Sequence, residues 1–370
     1  MRIPALLSFP VLHCSARLLP VAAWGIISGC SSGGSPATTL PLPTGHFEGP
    51  VSYQGSELRV ALDLRETAPG QLEADVHFPE LAGQSFAAAN VRYKEPQLTL
   101  ERPGRASQAT VTAIREGDFL RGVFTLDSIK ADFVWARRGQ AAPRAYQEKA
   151  FAVQTHGRTQ RLTLLVPTDT VARHPAVALL ADAASAASAA ARADLLARQG
   201  FLAVVVSASA TTSETDSTTL HTVAAALQAL RRQPAADSLR VGFWLRGPGA
   251  GALLPAAGLT PAAVAFVVLE NVPAASLADT KPFQQASRQQ LPVLALYAGA
   301  DTSLNVRESA RRLRNAVGIR RGSSVRTFPL ANAEFIVPGR LSADGKWTWP
   351  QQAAGFAEGL VEWLRQRKVR

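Results

Sequence analysis

Cysteine is scarce in this chain of 370 residues, which contains only Cys14 and Cys30. Because both lie within the first 30 residues, the remaining chain can form no internal disulfide and depends on its core for stability. Blocks of five like charges are also absent, although Lys and Arg number 39 against 28 Asp and Glu. Basic charge can attract anionic lipid or polysaccharide. Scattered as it is here, it predicts a solvated surface and no nucleic-acid partner.

The N-terminus lacks an apolar run long enough to cross a membrane as a helix. The stretch LLPVAAWGII follows Arg17 and holds about ten apolar residues, which suits an export signal better than a membrane span. The next residues, ISGC, resemble a bacterial lipobox, in which cleavage precedes the cysteine and its sulfur receives a diacylglycerol. This resemblance implies a signal peptide over residues 1–29 and a lipid on Cys30. The alternative is a chance cysteine at the end of an ordinary signal peptide.

Residues 30–44 are rich in Ser, Gly, Pro and Thr, which is typical of a flexible tether. A tether after a lipidated first residue predicts a protein anchored in the bacterial cell envelope, with an unknown envelope ligand or protein as its partner. Ser31 follows Cys30 where retained lipoproteins carry Asp. That difference favours the outer membrane, with the protein facing the periplasm.

Between residues 45 and 140 the apolar residues alternate with polar ones. ELRVALDL, QLEADVHF, FLRGVFTL and IKADFVWAR follow this pattern, and turn residues such as APGQ and RPGRAS separate the segments. Short alternating strands at this spacing predict a small antiparallel domain, either a sandwich or a barrel. The stretch PRAYQEK then reads as a linker.

Residues 141–370 have a different pattern. Continuous apolar runs such as PAVALLA, FLAVVVS and LPVLALY predict strands buried on both faces. Helical segments alternate with these runs, so the sequence predicts a second domain of the α/β class with a doubly wound, mostly parallel sheet.

The order of elements in this second part resembles the α/β-hydrolase superfamily, and most closely its serine-aminopeptidase and dienelactone-hydrolase types. RVGFWLRGPGAG resembles the nucleophile elbow, LPVLALYAGADTSLNV the strand and loop of the catalytic acid, and FPLANAEF the histidine loop. The β-domain in front also resembles one found before such hydrolases in bacterial lipoproteins.

Most of the side chains that this chemistry requires are missing from the matching positions. A serine hydrolase needs a nucleophile, an acid and a histidine in that chain order. The resemblance places Gly247 at the nucleophile, or Gly249 in a frame shifted by two. It places Asp301 at the acid and Ala333 at the histidine. Pro248 stands where the elbow should supply an oxyanion N–H, and proline has none. The last histidine, His221, precedes the elbow and is expected to be structural.

The sequence therefore predicts a degenerate triad and a non-catalytic binding or scaffolding protein, with Asp301 reduced to capping a helix near residues 302–305. The alternative is an active hydrolase of small esters or peptides with a non-standard constellation around Asp301, for which Ser185, Ser207 and Ser209 are candidate nucleophiles. A third possibility makes the β-domain the functional module and the α/β part a spacer. No phosphate-binding loop, HExxH or CxxC motif is present, so no cofactor or metal is expected. Trp347, Trp349 and Trp363 are expected to be core or helix anchors.

Overall fold

The first half of the described chain is one antiparallel sheet. A computed structural model describes residues 42–367 except 82, 104–108, 156–157, 182–184, 208–216, 249, 257–263 and 319–321. In these residues nine strands form a sheet of order β4-β3-β2-β1-β9-β8-β7-β6-β5. They are β1 Gly45–Tyr53, β2 Ser56–Ala68, β3 Gln71–His77, β4 Phe86–Ala87, β5 Ala89–Lys94, β6 Gln97–Glu101, β7 Ala109–Glu116, β8 Phe119–Leu126 and β9 Ile129–Gly139.

The predicted alternation in this region places one face of the sheet inside. Along β9 the side chains of Ile129, Ala131, Phe133 and Trp135 are buried, whereas those between them are exposed. All the larger strands contribute to the same apolar core. The sequence did not distinguish a sandwich from a barrel. The structure has one sheet rather than two, and this sheet curls so that β3 lies near β5. Curling allows one face to bury its apolar residues without a second sheet.

The second half of the described chain builds an eight-stranded sheet of order β10-β11-β13-β12-β14-β15-β16-β17. Six of its strands are parallel, and β10 and β11 pair antiparallel at one edge. The strands are β10 Tyr146–Thr155, β11 Arg158–Pro167, β12 His174–Ala181, β13 Leu202–Ser207, β14 Ala236–Arg246, β15 Val267–Glu270, β16 Val293–Ala298 and β17 Ser324–Phe328. The predicted linker PRAYQEK is partly wrong, because β10 begins at Tyr146 within it.

Helices cover both faces of this sheet, as its continuous apolar strands require. Alternate residues of β12 belong to opposite cores: Ala176 and Ala178 face one side, and Val177 and Leu179 face the other. The first core contains α2 Ser217–Arg231, α3 Ala250–Ala256, α4 Leu277–Arg288 and α5 Val306–Val317, and the second contains α1 Ala186–Arg198 and α6 Phe356–Arg365. The predicted doubly wound sheet is thus seen in its six parallel strands.

Both sheets belong to one compact unit, Leu42–Arg370. Buried carboxylates of the nine-stranded sheet hold the connection. Asp75 on β3 is 1% exposed and pairs with Arg65 of the same sheet, with Arg144 of the connecting segment and with Arg198 of α1. Because an unpaired buried carboxylate is costly, these guanidinium groups fix how the connection and α1 approach the sheet.

A C-terminal excursion also contacts the nine-stranded sheet. Four two-residue strands, β18 Ile336–Val337, β19 Arg340–Leu341, β20 Trp347–Thr348 and β21 Gln351–Gln352, form two antiparallel pairs before α6, with the β19–β20 pair nested inside the β18–β21 pair. The Trp347 backbone N–H donates to the Gln54 carbonyl at 3.1 Å, the Trp347 ring packs against the nine-stranded core, and Trp349 is buried in that core. Trp363 on α6 is buried and donates to the Gly322 carbonyl, so all three tryptophans have packing roles. Among the described helices, none is long and apolar enough to cross a membrane.

Candidate functional site

The turn after β14 has the backbone of an elbow without a reactive side chain. The strand ends at Arg246, Gly247 follows with φ 72°, and α3 begins at Ala250. The Gly247 N–H donates to the Glu270 carbonyl at 3.0 Å, which ties the turn to the end of β15. A Cβ atom built on Gly247 would meet no atom within 4 Å. Space for a Cβ atom is therefore present, but the left-handed backbone favours the glycine that occupies this position.

Four charged side chains meet beside this turn, and we call them the charge quartet: Arg192, Arg246, Glu270 and Glu334. Arg192 donates to Glu270 through Nε at 3.3 Å and Nη2 at 3.2 Å. Arg246 lies 3.2 Å from Glu270 through Nη1 and donates to Glu334 through Nη2. Arg192 Nη2 also lies 3.5 Å from Glu334 Oε2, which closes a ring of alternating charges.

Different elements deliver the members of the charge quartet. Arg246 and Glu270 are register partners at the carboxyl ends of β14 and β15, Arg192 comes from α1, and Glu334 follows β17. Glu270 is fully buried and Arg192 is 7% exposed. The four formal charges cancel. Since each buried charge has partners of opposite sign, the cluster avoids the large cost of an isolated buried ion.

The environment shifts the proton affinities within the charge quartet. Burial raises the pKa of Glu334, but the hydrogen bond from Arg246 and the charges of Arg192 and Arg246 outweigh this, so the pKa lies below its ordinary value. Burial lowers the pKa of Arg246, and the charge of Glu270 together with Glu334 more than reverses this, so its pKa lies above the ordinary value. Both groups are therefore held in their charged forms.

The loop with Ala333 is bonded to the strand ends through its backbone. The Ala333 carbonyl accepts from Asn271 Nδ2 at 3.0 Å and from Arg246 Nη2 at 3.2 Å. Asn332 holds the loop from the other side, because its Oδ1 accepts from the N–H groups of Glu334 and Ile336. The position expected for a histidine thus contributes a carbonyl oxygen and a methyl group.

Asp301 bonds within its own turn after β16. Its Oδ1 accepts from the Ser303 N–H at 2.9 Å and from the Ser303 hydroxyl at 2.6 Å. The expectation that Asp301 caps the next helix is wrong. Asn305 is the cap of α5, and its side chain accepts from the Glu308 N–H. Asp301 lies four residues before the capping position and closes an Asx turn instead.

The other described residues that the sequence singled out lie on several different elements. Ser185 precedes α1, and His221 is exposed on α2. His174 bonds the Gly200 carbonyl, and the His46 and His77 rings bond Asp63. Ser209, Gly249, Cys30 and the Ser207 side chain lie outside the described residues.

Sequence reasoning missed the charge quartet. Arg246 and Glu270 stand directly after the apolar runs VGFWL and VVL, and Arg192 interrupts an alanine-rich helix. A charged residue at the carboxyl end of each of two neighbouring buried strands was the available signal. The sequence does not show which strands are neighbours or that the loop with Glu334 returns to their ends. Only the fold determines both.

The strand order and the helices on both faces define an α/β-hydrolase-like fold. No protein-family model and no curated protein matches the chain. Among the solved structures that are similar to it are the following three. The esterase domain of a Rhodothermus marinus protein is 19% identical over 60% of this chain and 99% of its own, with a TM-score of 0.42. A Klebsiella pneumoniae protein assigned as a dienelactone hydrolase is 16% identical over 60% and 99%, with a TM-score of 0.43. A cold-adapted esterase from an Arctic intertidal metagenomic library is 15% identical over 62% and 96%, with a TM-score of 0.40.

Backbone strain at the elbow can be measured with one substitution. Gly247→Ala is expected to lower the free energy of unfolding by about 1 to 2 kcal/mol, because an L-residue there must adopt a left-handed backbone. Gly139→Ala is the matched control, since its added Cβ also meets no atom and its φ is not left-handed. Urea unfolding of both variants measures the difference. Equal stabilities for the two variants would contradict a left-handed turn at Gly247.

The charge quartet predicts a pH-dependent effect of Glu334→Gln. At pH 7 the variant is expected to be less stable by about 3 kcal/mol, because two partly buried guanidinium groups lose a carboxylate. The folded-state pKa of Glu334 is lowered, so its stabilisation is complete above the ordinary value of 4.5 and is lost as the pH falls through the folded-state pKa. The stability difference between wild type and variant should therefore shrink in acid.

Urea unfolding between pH 7 and pH 3 tests this, with Glu80→Gln in an exposed turn as the control. A difference that stays constant across the range would show that the carboxylate charge of Glu334 does not contribute.

Proposed function

We propose that this chain is a non-catalytic binding or scaffolding protein of the bacterial cell envelope, built on an α/β-hydrolase-like fold and anchored through lipid on Cys30. The observation that supports it most is the charge quartet, which lies beside an elbow turn with no nucleophile. The chain uses these strand ends to pair charges rather than to position a reactive group.

The chemistry of the site supports the absence of hydrolysis. Acyl transfer by this kind of site requires a nucleophile, a proton acceptor near neutral pH and donors for the oxyanion. Gly247 has no side chain, Ala333 has a methyl group, and Pro248 has no N–H to donate. Glu334 is a weak base because its pKa is lowered, and Arg246 is a poor acid because its pKa is raised.

The competing function is hydrolysis of small esters or peptides around Asp301. The only feature in its favour is the retained carboxylate, whose Oδ1 accepts both hydrogen bonds from Ser303 within one exposed turn. A carboxylate held this way orients its own loop, and its charge helps to hold Arg246 in the protonated form. We therefore treat this function as an outcome that an activity measurement would reveal.

Hydrolysis is tested on the full chain in non-ionic detergent with nitrophenyl butyrate and a fluorophosphonate probe. We expect no turnover above buffer and no covalent labelling, because Gly247 supplies no nucleophile at the elbow and Ala333 no base. A known serine esterase in the same detergent serves as the positive control. If turnover appears, is abolished by Asp301→Asn and labels Ser185, Ser207 or Ser209, the competing function is correct.

The anchor is tested by fractionation after expression in a bacterial host. Cys30→Ser is expected to move the protein from the membrane fraction to the soluble fraction, because the sulfur that would carry the lipid is removed. Cys14→Ser is the matched control, since that residue lies in the segment expected to be cleaved. Mass spectrometry of the N-terminal peptide should detect the lipid only when Cys30 is present. An unmodified Cys30 peptide, or a membrane-bound Cys30→Ser protein, would contradict the anchor.

A further inference from the structure

Helix α5 carries a row of arginines on its solvent side. Arg307, Arg311 and Arg314 follow one another at i, i+4 and i+7, so they share one side of the helix, and all three are exposed. Another side of α5 packs onto the eight-stranded sheet through residues that include Leu313 and Val317. The core therefore holds these arginines on a rigid element at fixed spacing.

Acidic groups on α5 do not balance this charge. Glu308 is the one carboxylate of the helix, and it accepts hydrogen bonds from Arg311 at 2.7 and 2.9 Å and also from Arg312. Within the part of the chain that the structure describes, Arg307 and Arg314 have no ion-pair partner. Four arginines against one glutamate leave α5 with an excess of three positive charges.

The neighbouring helix α4 adds to the positive charge. The two helices pack side by side, and the Ser287 hydroxyl donates to the Val317 carbonyl at 2.9 Å. Lys281 and Arg288 are exposed on α4, whereas its one carboxylate, Asp279, belongs to the N-terminal cap of the helix. Over both helices, six basic residues stand against two acidic ones. Basic residues that are scattered in the sequence are thus brought together by the fold.

An exposed apolar side chain lies in the same surface. Leu277 is the first residue of α4 and, at 74%, the most exposed large apolar residue in the described part of the chain. With Arg311 and Arg312 it lines a groove of about 310 Å³ between the two helices, and no carboxylate is among the described lining residues. A membrane interface accepts this combination, because cations meet anionic head groups while an apolar side chain enters the acyl boundary.

We propose that this basic face, formed by Leu277, Lys281, Arg307, Arg311 and Arg314, binds the surface of a membrane that contains anionic phospholipid. The guanidinium groups donate paired hydrogen bonds to lipid phosphates, and Leu277 enters the apolar boundary. A soluble polyanion uses the charges and not the leucine, which is why the membrane is the favoured partner. The inference goes beyond the proposed function and does not require a lipid on the chain.

Binding is tested by co-sedimentation of the full chain carrying Cys30→Ser, so that an acyl anchor does not contribute. The vesicles are phosphatidylcholine alone and an equal mixture of phosphatidylcholine and phosphatidylglycerol. We expect binding to the anionic vesicles to be about tenfold or more stronger at low salt, and this preference to disappear at high salt. The apolar N-terminal segment contributes to both kinds of vesicle, so the difference between them isolates the charge.

Variants in the same background locate the contact. Arg307→Gln combined with Arg314→Gln should weaken binding to anionic vesicles about twentyfold, since each basic residue near such a surface contributes roughly a fivefold factor. Leu277→Gln should weaken it several-fold without changing the salt dependence, because apolar contact is lost and no charge is removed. Arg59→Gln combined with Arg121→Gln is the control. These two arginines are 59% and 64% exposed on the nine-stranded sheet, and their loss lowers the net charge equally.

Circular dichroism and thermal unfolding confirm that each variant is folded. The proposal is overturned if anionic vesicles are not preferred, or if the control pair weakens binding as much as the pair on α5. Heparin is titrated in parallel as a soluble polyanion. If the α5 pair weakens heparin binding and Leu277→Gln leaves vesicle binding unchanged, the partner is a soluble polyanion and the membrane assignment is wrong.

This contact and the anchor on Cys30 can be separated. A surface held by charge is released from membranes by high salt, whereas an acyl chain is not. A salt wash before fractionation therefore reports on the anchor alone, and the vesicle preference of the Cys30→Ser protein reports on the basic face alone.

Discussion

The requirement that a buried charge must have partners governs the centre of this protein. Glu270 is fully buried at the end of β15, and without Arg192 and Arg246 its carboxylate would be prohibitively costly to desolvate. Those two arginines come from α1 and β14, and both also contact Glu334 in the loop after β17. One carboxylate thus fixes a helix, a strand end and a loop relative to one another.

The same principle holds the two sheets together. Asp75 is almost fully buried and receives guanidinium groups from its own sheet, from the connecting segment and from α1. Helix α1 therefore carries two arginines, Arg192 and Arg198, each paired with a buried carboxylate of a different sheet. The alanine-rich first turns of α1 precede Arg192. The ion pairs supply the rigidity that these methyl groups cannot supply through packing.

Much of the fold could be predicted because the two apolar patterns reflect different burial. Strands buried on one face alternate apolar with polar residues, whereas strands buried on both faces are continuously apolar. Alternation over residues 45–140 predicted the antiparallel sheet, and runs such as PAVALLA predicted the parallel strands. The edge strand β10 was missed because its outward residues are polar, as in YQEK, and such a pattern also fits a linker. Whether the first sheet is single or double depends on curvature, which alternation does not encode.

At the candidate site, the sequence revealed which groups are missing and not what replaces them. Gly247, Pro248 and Ala333 could be read directly, because a hydrolase motif assigns a side chain to each position. The charge quartet could not, since its members are separated by up to 142 residues, as the contact between Arg192 and Glu334 illustrates. Pairing at that separation is set by the strand order and the return of the loop after β17.

The charge quartet also constrains which amino-acid changes the protein can accept. A Cβ added at Gly247 would meet no neighbouring atom, so a substitution there is opposed by the left-handed backbone alone. Replacing Arg246 or Glu270 alone leaves an uncompensated ion in the interior, whereas replacing an oppositely charged pair together does not. Substitutions in this region must therefore occur as pairs. Scans that change one residue at a time will underestimate how many amino acids each position can accept.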